Sequence, residues 1–173
     1  YALLRNAVLS LSLTQEFVRP LYHWRTSRPH AYSHSLLNSP GDDNALFKAG
    51  PAHGAPPQNV RLGADDFLLD HLGGGFDLLY FTQEHALPES LLKAIQAHRQ
   101  SGVPLRVIAI GADPDVQGAD LSLRDAHGRC RTRYGVPASG AAYLLRPDQH
   151  VCARWLTLDA VRLQAALRRA LPH

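Results

Sequence analysis

The sequence of 173 residues predicts an α/β fold from about Val60 onward, and three observations lead to this prediction. First, two short and almost wholly apolar runs, Phe76 to Phe81 and Leu105 to Ile110, are typical of strands that are covered on both faces. Second, a helical pattern lies between these runs and completes a βαβ unit. Third, the stretch from Ala141 to Trp155 has two apolar halves around a turn, which predicts a β-hairpin, and a second helical pattern follows it.

The helix between the two strands has clear signals at both ends. Pro88 opens the helix, and Glu89 lies in its first turn, where the helix dipole favours an acidic side chain. Gly102 closes the helix. The apolar side chains that share one face of it are Leu91, Leu92 and Ile95.

The predicted hairpin reverses at Arg146-Pro147-Asp148-Gln149-His150. This segment separates the apolar runs Ala141 to Leu145 and Val151 to Trp155. Proline presets φ for the second position of a type I turn, and aspartate suits the next position. We therefore expect a tight turn between two antiparallel strands.

The final helix is predicted from about Leu158 to Leu171, and Pro172 ends it. Arg168 and Arg169 lie in its last turn, where the helix dipole favours cations. Its apolar face contains Ala160, Leu163, Leu167, Ala170 and Leu171.

The first 59 residues differ in pattern from the rest of the chain. Between Leu3 and Leu13, apolar residues at helical spacing form a stripe of Leu3, Leu4, Ala7, Val8 and Leu11, which needs a partner surface. A long irregular region rich in Ser, Pro, Gly and Asn then continues to about Asn59, and we expect either a linker or an extended arm that packs on something larger. The predicted division of the chain is therefore 1–59 and 60–173.

The predicted element order is strand, helix, strand, hairpin and helix, which is the order of a thioredoxin-like fold. Tyr134-Gly135-Val136-Pro137 is similar to the thioredoxin segment that carries a cis-proline, and the sequence leaves the isomer of Pro137 open. Redox-active thioredoxins place a C-x-x-C motif directly after the first strand of this unit. This chain has Thr82-Gln83-Glu84-His85 there, so we expect no dithiol chemistry at that position.

Composition argues against several other classes of protein. The net charge is only +3, and no basic run is longer than Arg168-Arg169, so no nucleic-acid partner is expected. Cys130 and Cys152 do not form a C-x-x-C pair and predict buried or idle thiols. Of the ten histidines, His30 and His34 are four apart, but their surroundings do not favour a helix, so no metal site is expected.

The sequence also predicts the compartment and the context of the chain. No apolar stretch approaches the ~18 residues that a membrane-spanning helix needs, and the N-terminus lacks a secretory pattern. We expect a soluble, cytoplasmic protein. Because the chain begins at Tyr1 and contains no methionine, we also expect it to be part of a longer polypeptide.

Two further motifs favour structural roles over chemistry. Gly73-Gly74-Gly75 precedes the first strand, whereas a phosphate-binding glycine loop follows a strand and opens a helix, so a flexible turn is the better prediction. Asp65-Asp66 and Asp113-Pro114-Asp115 lie beside Gly and Pro, where loop and helix-cap roles are common for aspartate.

Several blocks of the sequence resemble one family in the same order. The hairpin segment LLRPDQHVCARW resembles a segment near the C-terminus of FAD-dependent aromatic hydroxylases of the 3-(3-hydroxyphenyl)propionate and phenol hydroxylase type. GAPPQNVRL, HLGGGFDLLYF, LRVIAIG and RYG are also similar to blocks of the C-terminal domain of these enzymes, and LRNAVLSLS with the following arm is similar to their last flavin-domain helix. The chain departs from the pattern at Cys152, where the family often has alanine.

The resemblance implies a thioredoxin-like C-terminal domain, preceded by the terminal helix of the flavin and substrate domains and a linker arm. The resemblance implies no catalytic residue. It implies a structural role for the residues that match family motifs: Gly74, Gly75, Phe76, Tyr134, Gly135, Arg146, Pro147, Asp148, His150 and Val151. FAD and NAD(P)H are implied for the parent enzyme. The chain itself lacks the G-x-G-x-x-G fingerprint and is expected to hold no cofactor.

The resulting functional hypothesis is a non-catalytic accessory domain of an aromatic-ring monooxygenase. Its expected partners are the catalytic domains of the same polypeptide and a second copy in a homodimer. One alternative is a thioredoxin-like redox protein or peroxidase, for which Cys130 or Cys152 would have to supply a reactive thiol. Another is a stand-alone module that binds a small aromatic ligand.

Overall fold

The computed structural model describes Leu3, Asn6, Ala7, Ser10, Leu11, Thr14, Gln15, residues 29–112 and residues 115–171. The chain divides into two compact units, Tyr1–His30 and Ala31–His173. In the first unit, the described residues from Leu3 to Thr14 are helical and exposed, which agrees with the predicted helix. Leu4 and Val8 of the predicted stripe lie outside the described residues.

The second unit is built on a mixed sheet of five strands among the described residues. The strands are β1 (Phe76–Phe81), β2 (Leu105–Gly111), β3 (Leu121–Arg124), β4 (Ala141–Leu145) and β5 (Val151–Trp155). Their order across the sheet is β3-β2-β1-β4-β5. Strands β1, β2 and β3 pair in parallel, whereas β4 pairs antiparallel with both β1 and β5.

Three α-helices accompany the sheet in the described part of this unit: α1 (Glu89–Gln100), α2 (Arg129–Arg133) and α3 (Ala160–Ala170). Short 3₁₀ helices span Asp42–Leu46 and Leu68–His71. The βαβ unit, the antiparallel hairpin and the closing helix form a thioredoxin-like fold, as predicted. The additional strand β3 extends the sheet beyond β2.

Most predicted boundaries agree with the structure. Pro88 is the N-cap of α1, and Gly102 has a φ of +88° directly after that helix, as a helix-ending glycine requires. Helix α3 is shorter than predicted, because Asp159 caps it by accepting a hydrogen bond from the backbone N–H of Arg162 at 2.8 Å. Strand β3 and helix α2 were not predicted, since they have only four and five residues and are too short for a clear periodic signal.

The core has one apolar cluster on each face of the sheet. On the first face, α1 and α3 pack over the strands, and the helices contribute Leu91, Ile95, Leu163, Ala166, Leu167 and Ala170. On the second face, the cluster includes Leu68, Phe81, Cys130, Tyr134 and Tyr143. Because β1 and β2 are buried on both sides, each face must be covered by another layer.

The arm supplies much of the cover over the second face. The hydroxyl of Tyr134 accepts a hydrogen bond from the backbone N–H of Gln58 at 3.1 Å and donates one to its carbonyl oxygen at 2.9 Å. The ring of Phe47 packs edge-on against Tyr143, with centroids 5.5 Å apart. The backbone N–H groups of Ser39 and Gly54 donate to carbonyl oxygens of β5.

Residues 31–59 are therefore packed on the unit that the sheet builds, and one compact unit begins at Ala31. The sequence instead favoured a division after Asn59, because a Pro- and Gly-rich segment has no local pattern that predicts contacts with residues far along the chain. Whether residues 60–173 form a domain by themselves remains a prediction.

These contacts predict different outcomes for two shortened chains. A chain that begins at Ala31 should keep cooperative unfolding, whereas one that begins at Val60 should lose several kcal/mol of stability. The second truncation leaves buried polar groups without partners, at about 1–3 kcal/mol each. Thermal unfolding, monitored by circular dichroism, measures the stability of both shortened chains. Equal midpoints for the two chains would contradict the structural role of the arm.

Candidate functional site

The loop after β1 occupies the position where redox thioredoxins carry their thiols. Thr82 is buried, and its hydroxyl accepts a hydrogen bond from the backbone N–H of Glu84 at 2.9 Å. Opposite it, Gly140 approaches the backbone so closely that a Cβ there would lie 2.5 Å from the carbonyl oxygen of Phe81. No peptide bond among the described residues is cis, so Pro137 is trans. With threonine in place of cysteine, the side chain at position 82 holds the backbone of the loop and supplies no thiolate.

The two thiols lie elsewhere, and both are buried. Cys130, in α2, belongs to the cluster on the second face of the sheet, whereas Cys152, in β5, belongs to the cluster on the first face. Burial raises the pKa of each thiol to about 12. Both cysteines are free, and the sheet separates them. Neither has the depressed pKa or the access to solvent that a reactive thiolate needs.

The turn between β4 and β5 is built around a buried arginine. Arg146 is only 6% exposed, and its Nη2 donates to a carboxylate oxygen of Asp148 at 2.7 Å. Its Nη1 donates to the side-chain oxygen of Asn38, in the arm, at 3.4 Å. The backbone N–H of Gln149 donates to the carbonyl oxygen of Arg146 at 2.8 Å and closes the predicted turn. Gln149 has a φ of +59°, which is unusual outside glycine.

The other residues of this turn complete the same cluster. The backbone N–H of His150 donates to Asp148 at 3.1 Å, and the ring of Tyr32 lies edge-on to His150 with centroids 5.1 Å apart. Burial alone would raise the pKa of the Asp148 carboxyl. The hydrogen bonds and charges of Arg146 and His150 outweigh that effect and lower the pKa below its ordinary value.

A second buried arginine, Arg154 in β5, is also held by the arm. It is 6% exposed; its Nε donates to the side-chain oxygen of Asn44 at 2.6 Å, and its Nη1 donates to the carbonyl oxygen of Pro51 at 3.1 Å. The guanidinium lies over the ring of Phe47, 4.6 Å from its centroid. Among the described residues its hydrogen-bond partners are neutral, and no carboxylate forms an ion pair with it.

His53 lies near Arg154 in this cluster. The side chain is buried, and its Nε2 has no hydrogen-bond partner among the described residues. Burial, together with the charge of Arg154, lowers the pKa of His53 below its ordinary value. The ring is therefore neutral in the folded protein near neutral pH.

The remaining predicted residues fall into two places in the fold. Gly74, Gly75 and Phe76 lie at the start of β1, at the same end of the sheet as the 146–150 turn and Val151, because Asp77 pairs with Leu145. Tyr134 and Gly135 lie at the other end, where the Tyr134 ring packs against Phe81. The structure thus groups the hairpin residues with the glycines and separates them from Tyr134 and Gly135.

The glycine turn does not offer a phosphate site. The backbone N–H of Gly73 donates to the buried carboxylate of Asp77 at 2.7 Å, and Asp77 also pairs with Arg106 at 2.8 Å. A Cβ on Gly75 would lie 2.5 Å from the carbonyl oxygen of Pro104. Asp66 pairs with His71 at 2.6 Å in a loop, as expected for a structural aspartate.

The sequence did not identify the arm residues Asn38, Asn44 and His53. Each lies in a segment without periodicity, and the arginines that Asn38 and Asn44 bind are more than a hundred positions away. In the part of the chain that the structure describes, no three His, Cys, Asp or Glu residues cluster as metal ligands. Within the same residues, no helix has the length and apolar character to cross a bilayer.

Solved structures that are similar to this chain include larger enzymes. A structure of aklavinone-11 hydroxylase with FAD and aklavinone is 28% identical over 83% of this chain, with a TM-score of 0.55. The chain is similar to FAD-dependent aromatic hydroxylases. Two structures of the rebeccamycin biosynthetic enzyme RebC share the fold, at 18% and 19% identity over 93% and 98% of this chain, with TM-scores of 0.60 and 0.53.

The chain spans only part of these proteins: 26% of the aklavinone-11 hydroxylase chain and 26% and 27% of the two RebC chains. No protein-family model matches it, and no curated protein sequence matches it either.

The buried thiols give a prediction about reactivity. In the folded protein at pH 8, neither Cys130 nor Cys152 should react with Ellman's reagent on the time scale of a free thiol, because each pKa is about 12. Addition of guanidinium chloride should release both thiols for reaction. Rapid labelling of one thiol before unfolding would show that it is accessible and would favour the redox alternative.

The neutral, buried His53 gives a prediction about pH. Its pKa is lower in the folded than in the unfolded chain, so the unfolded state binds more protons below pH 6.5 and the free energy of unfolding falls as the pH drops through that value. The slope from one such group is at most about 1.4 kcal/mol per pH unit. Urea unfolding at several pH values measures it.

His53→Leu should remove this part of the slope, and His127→Leu, at an exposed histidine, is the matched control. His98 also has a lowered pKa, because of burial and Arg168, and should leave a residual slope. An unchanged slope in His53→Leu would contradict the assignment.

Proposed function

We propose that this chain supplies a non-catalytic accessory domain, at the C-terminal end of an FAD-dependent aromatic-ring monooxygenase of the cytoplasm. The observation that carries the proposal is the similarity to aklavinone-11 hydroxylase, at 28% identity over 83% of this chain. The span of 26% of that protein suits one domain of a larger enzyme. Its partners in the proposal are the catalytic FAD and substrate domains of the same polypeptide.

The parent reaction in this proposal inserts one oxygen atom of O₂ into a phenolic ring and uses FAD and NAD(P)H. The residues of this chain do not fit FAD. The Gly73–Gly75 turn leads into a strand, and the Gly73 N–H already donates to the Asp77 carboxylate. A dinucleotide site would need free backbone N–H groups at the start of a helix. The role assigned to the chain is therefore packing, with no step of the chemistry.

The side-chain chemistry supports the same role over redox catalysis. The loop at the thioredoxin position holds Thr82, and the thiols of Cys130 and Cys152 are buried in the two core clusters. The buried arginines serve to hold the arm on the hairpin. The predicted structural role of the hairpin motif fits these contacts.

A titration with FAD tests whether this chain holds the cofactor. We expect no saturable quenching of flavin fluorescence at micromolar protein, because no residue set fits the flavin and its diphosphate together. The purified chain should also be colourless. Saturable quenching would place a flavin site within this chain and reject the accessory role. Reduction of insulin disulfides that is lost in Cys130→Ala or Cys152→Ala would favour the redox class instead.

The proposed self-association is assigned to the N-terminal helix. Leu3 is 86% exposed and Leu11 is 49% exposed, and they lie on the same predicted stripe as Ala7. Exposed apolar stripes tend to mark association sites, and symmetric dimers are the commonest oligomers. In the proposal, this stripe pairs with a second copy when it has no other partner surface.

Light scattering tests this assignment. The intact chain should be a dimer, and a chain that begins at Ala31 should be a monomer, because it lacks the stripe but keeps the whole second unit. Leu11→Asp should weaken the dimer in the intact chain. A monomer in both chains, or a dimer that persists without the helix, would reject helix-driven pairing.

A further inference from the structure

A depression of about 560 Å³ lies where the arm meets α2 on the second face of the sheet. This volume is within the range of about 300–1,000 Å³ that small-molecule sites occupy. The residues that carry polar side chains into its lining are Gln58, His127, Arg129, Thr132 and Arg133. None of the residues that line it is acidic.

Two cations in this lining are left without a counter-ion. Arg129 and Arg133 are exposed and lie four residues apart, on the same face of α2. Neither forms an ion pair with a carboxylate of the described residues. Like charges at this spacing repel each other, and no ion pair among the described residues offsets that repulsion. An anion placed between the two guanidinium groups would offset it.

The neighbouring charged groups make hydrogen bonds to other parts of the chain, and none of the described ones forms an ion pair with Arg129 or Arg133. Arg131 donates through Nη1 to the carbonyl oxygen of Pro137 at 2.7 Å. The carboxylate of Asp125, at the start of the same turn, accepts the backbone N–H of Arg131 at 2.9 Å.

We propose that this depression binds a small anion with phosphate groups, and a diphosphate in preference to a single phosphate. Each guanidinium presents a planar fork of donors that matches the oxygens of one phosphate group. The Thr132 hydroxyl, the Gln58 amide and the His127 ring can donate to the remaining oxygens. Two forks on one helix face suit two linked phosphate groups.

The backbone on both sides of this site is held in place by hydrogen bonds and by core packing. The backbone of Gln58 is held on both sides by the hydroxyl of Tyr134, at 3.1 Å and 2.9 Å. Helix α2 is anchored through Cys130, which is fully buried in the second core cluster. The site is a shallow depression with only two arginines in its lining, which suits a small anion better than a nucleic acid. It does not depend on the accessory role proposed above.

Isothermal titration of the intact chain with pyrophosphate at low ionic strength tests the proposal, with inorganic phosphate as the single-phosphate probe. We expect saturable binding that is tighter for pyrophosphate. Arg129→Gln and Arg133→Gln should each weaken it about tenfold, since a hydrogen bond to a charged group is worth a factor of that size. Arg133→Lys keeps the charge but loses the planar fork of donors. Its affinity for pyrophosphate should lie between that of the unchanged chain and that of Arg133→Gln.

The matched control is Arg124→Gln. Arg124 is exposed on β3, and its neighbour Leu123 packs into the core of the second face, so the side chain of Arg124 lies on the opposite face. This variant should bind pyrophosphate as the unchanged chain does. Circular dichroism checks the fold of each variant, and Arg133→Lys carries the test if a glutamine variant unfolds.

Three outcomes would overturn the proposal. One is the absence of saturable binding of pyrophosphate. Another is an equal loss of affinity in Arg124→Gln, which would show general attraction of anions to a basic surface. The third is tighter binding of a DNA duplex that pyrophosphate displaces from these arginines, which would assign the patch to nucleic acid. A ligand held only by its phosphates leaves a flavin in solvent, so the absence of flavin quenching does not bear on this site.

Discussion

The structure depends on the burial of two guanidinium groups in one hairpin. Arg146 and Arg154 are each 6% exposed. A guanidinium stays protonated in proteins, so burial without partners would cost far more than one hydrogen bond contributes. Arg146 donates to Asp148 within the hairpin and to Asn38 in the arm. Arg154 donates to two groups of the arm, the side-chain oxygen of Asn44 and the carbonyl oxygen of Pro51. The hairpin therefore fixes the arm, and the arm makes the buried hairpin possible.

This constraint explains how a sheet with parallel strands is covered on its second face. Helices α1 and α3 cover the first face, but α2 has only five residues and cannot form a full layer. The arm takes that role: Phe47 packs on Tyr143, and Gln58 holds the hydroxyl of Tyr134. Buried tyrosines fit here because both hydroxyl groups find backbone partners: Gln58 of the arm pairs with Tyr134, and the carbonyl oxygen of Tyr134 accepts from Tyr143.

The sequence predicted the elements whose signals are local. The apolar runs of β1 and β2, Pro88 before α1 and the Pro-Asp turn of the hairpin all act within a few residues. The packing of the arm could not be predicted, because the partners Asn44 and Arg154 lie 110 positions apart and no short-range pattern joins them. One indirect signal existed: a strand as apolar as Leu105 to Ile110 needs cover on both faces, and only one set of amphipathic helices was visible. The hairpin motif was predicted to be structural, and its contacts with the arm give that motif a physical role.

The docked arm also changes what the proposed accessory role requires of the chain. If residues 31–59 were free, they would lengthen any connection between the sheet and the part of the chain that precedes Ala31. Because they are docked on the sheet, they add no length to that connection. The effective concentration of a tethered domain rises as its connection shortens, provided the connection still spans the two sites. A weak contact between the accessory domain and a catalytic body would then suffice to keep them together, since the hairpin arginines have already fixed the arm and shortened the tether.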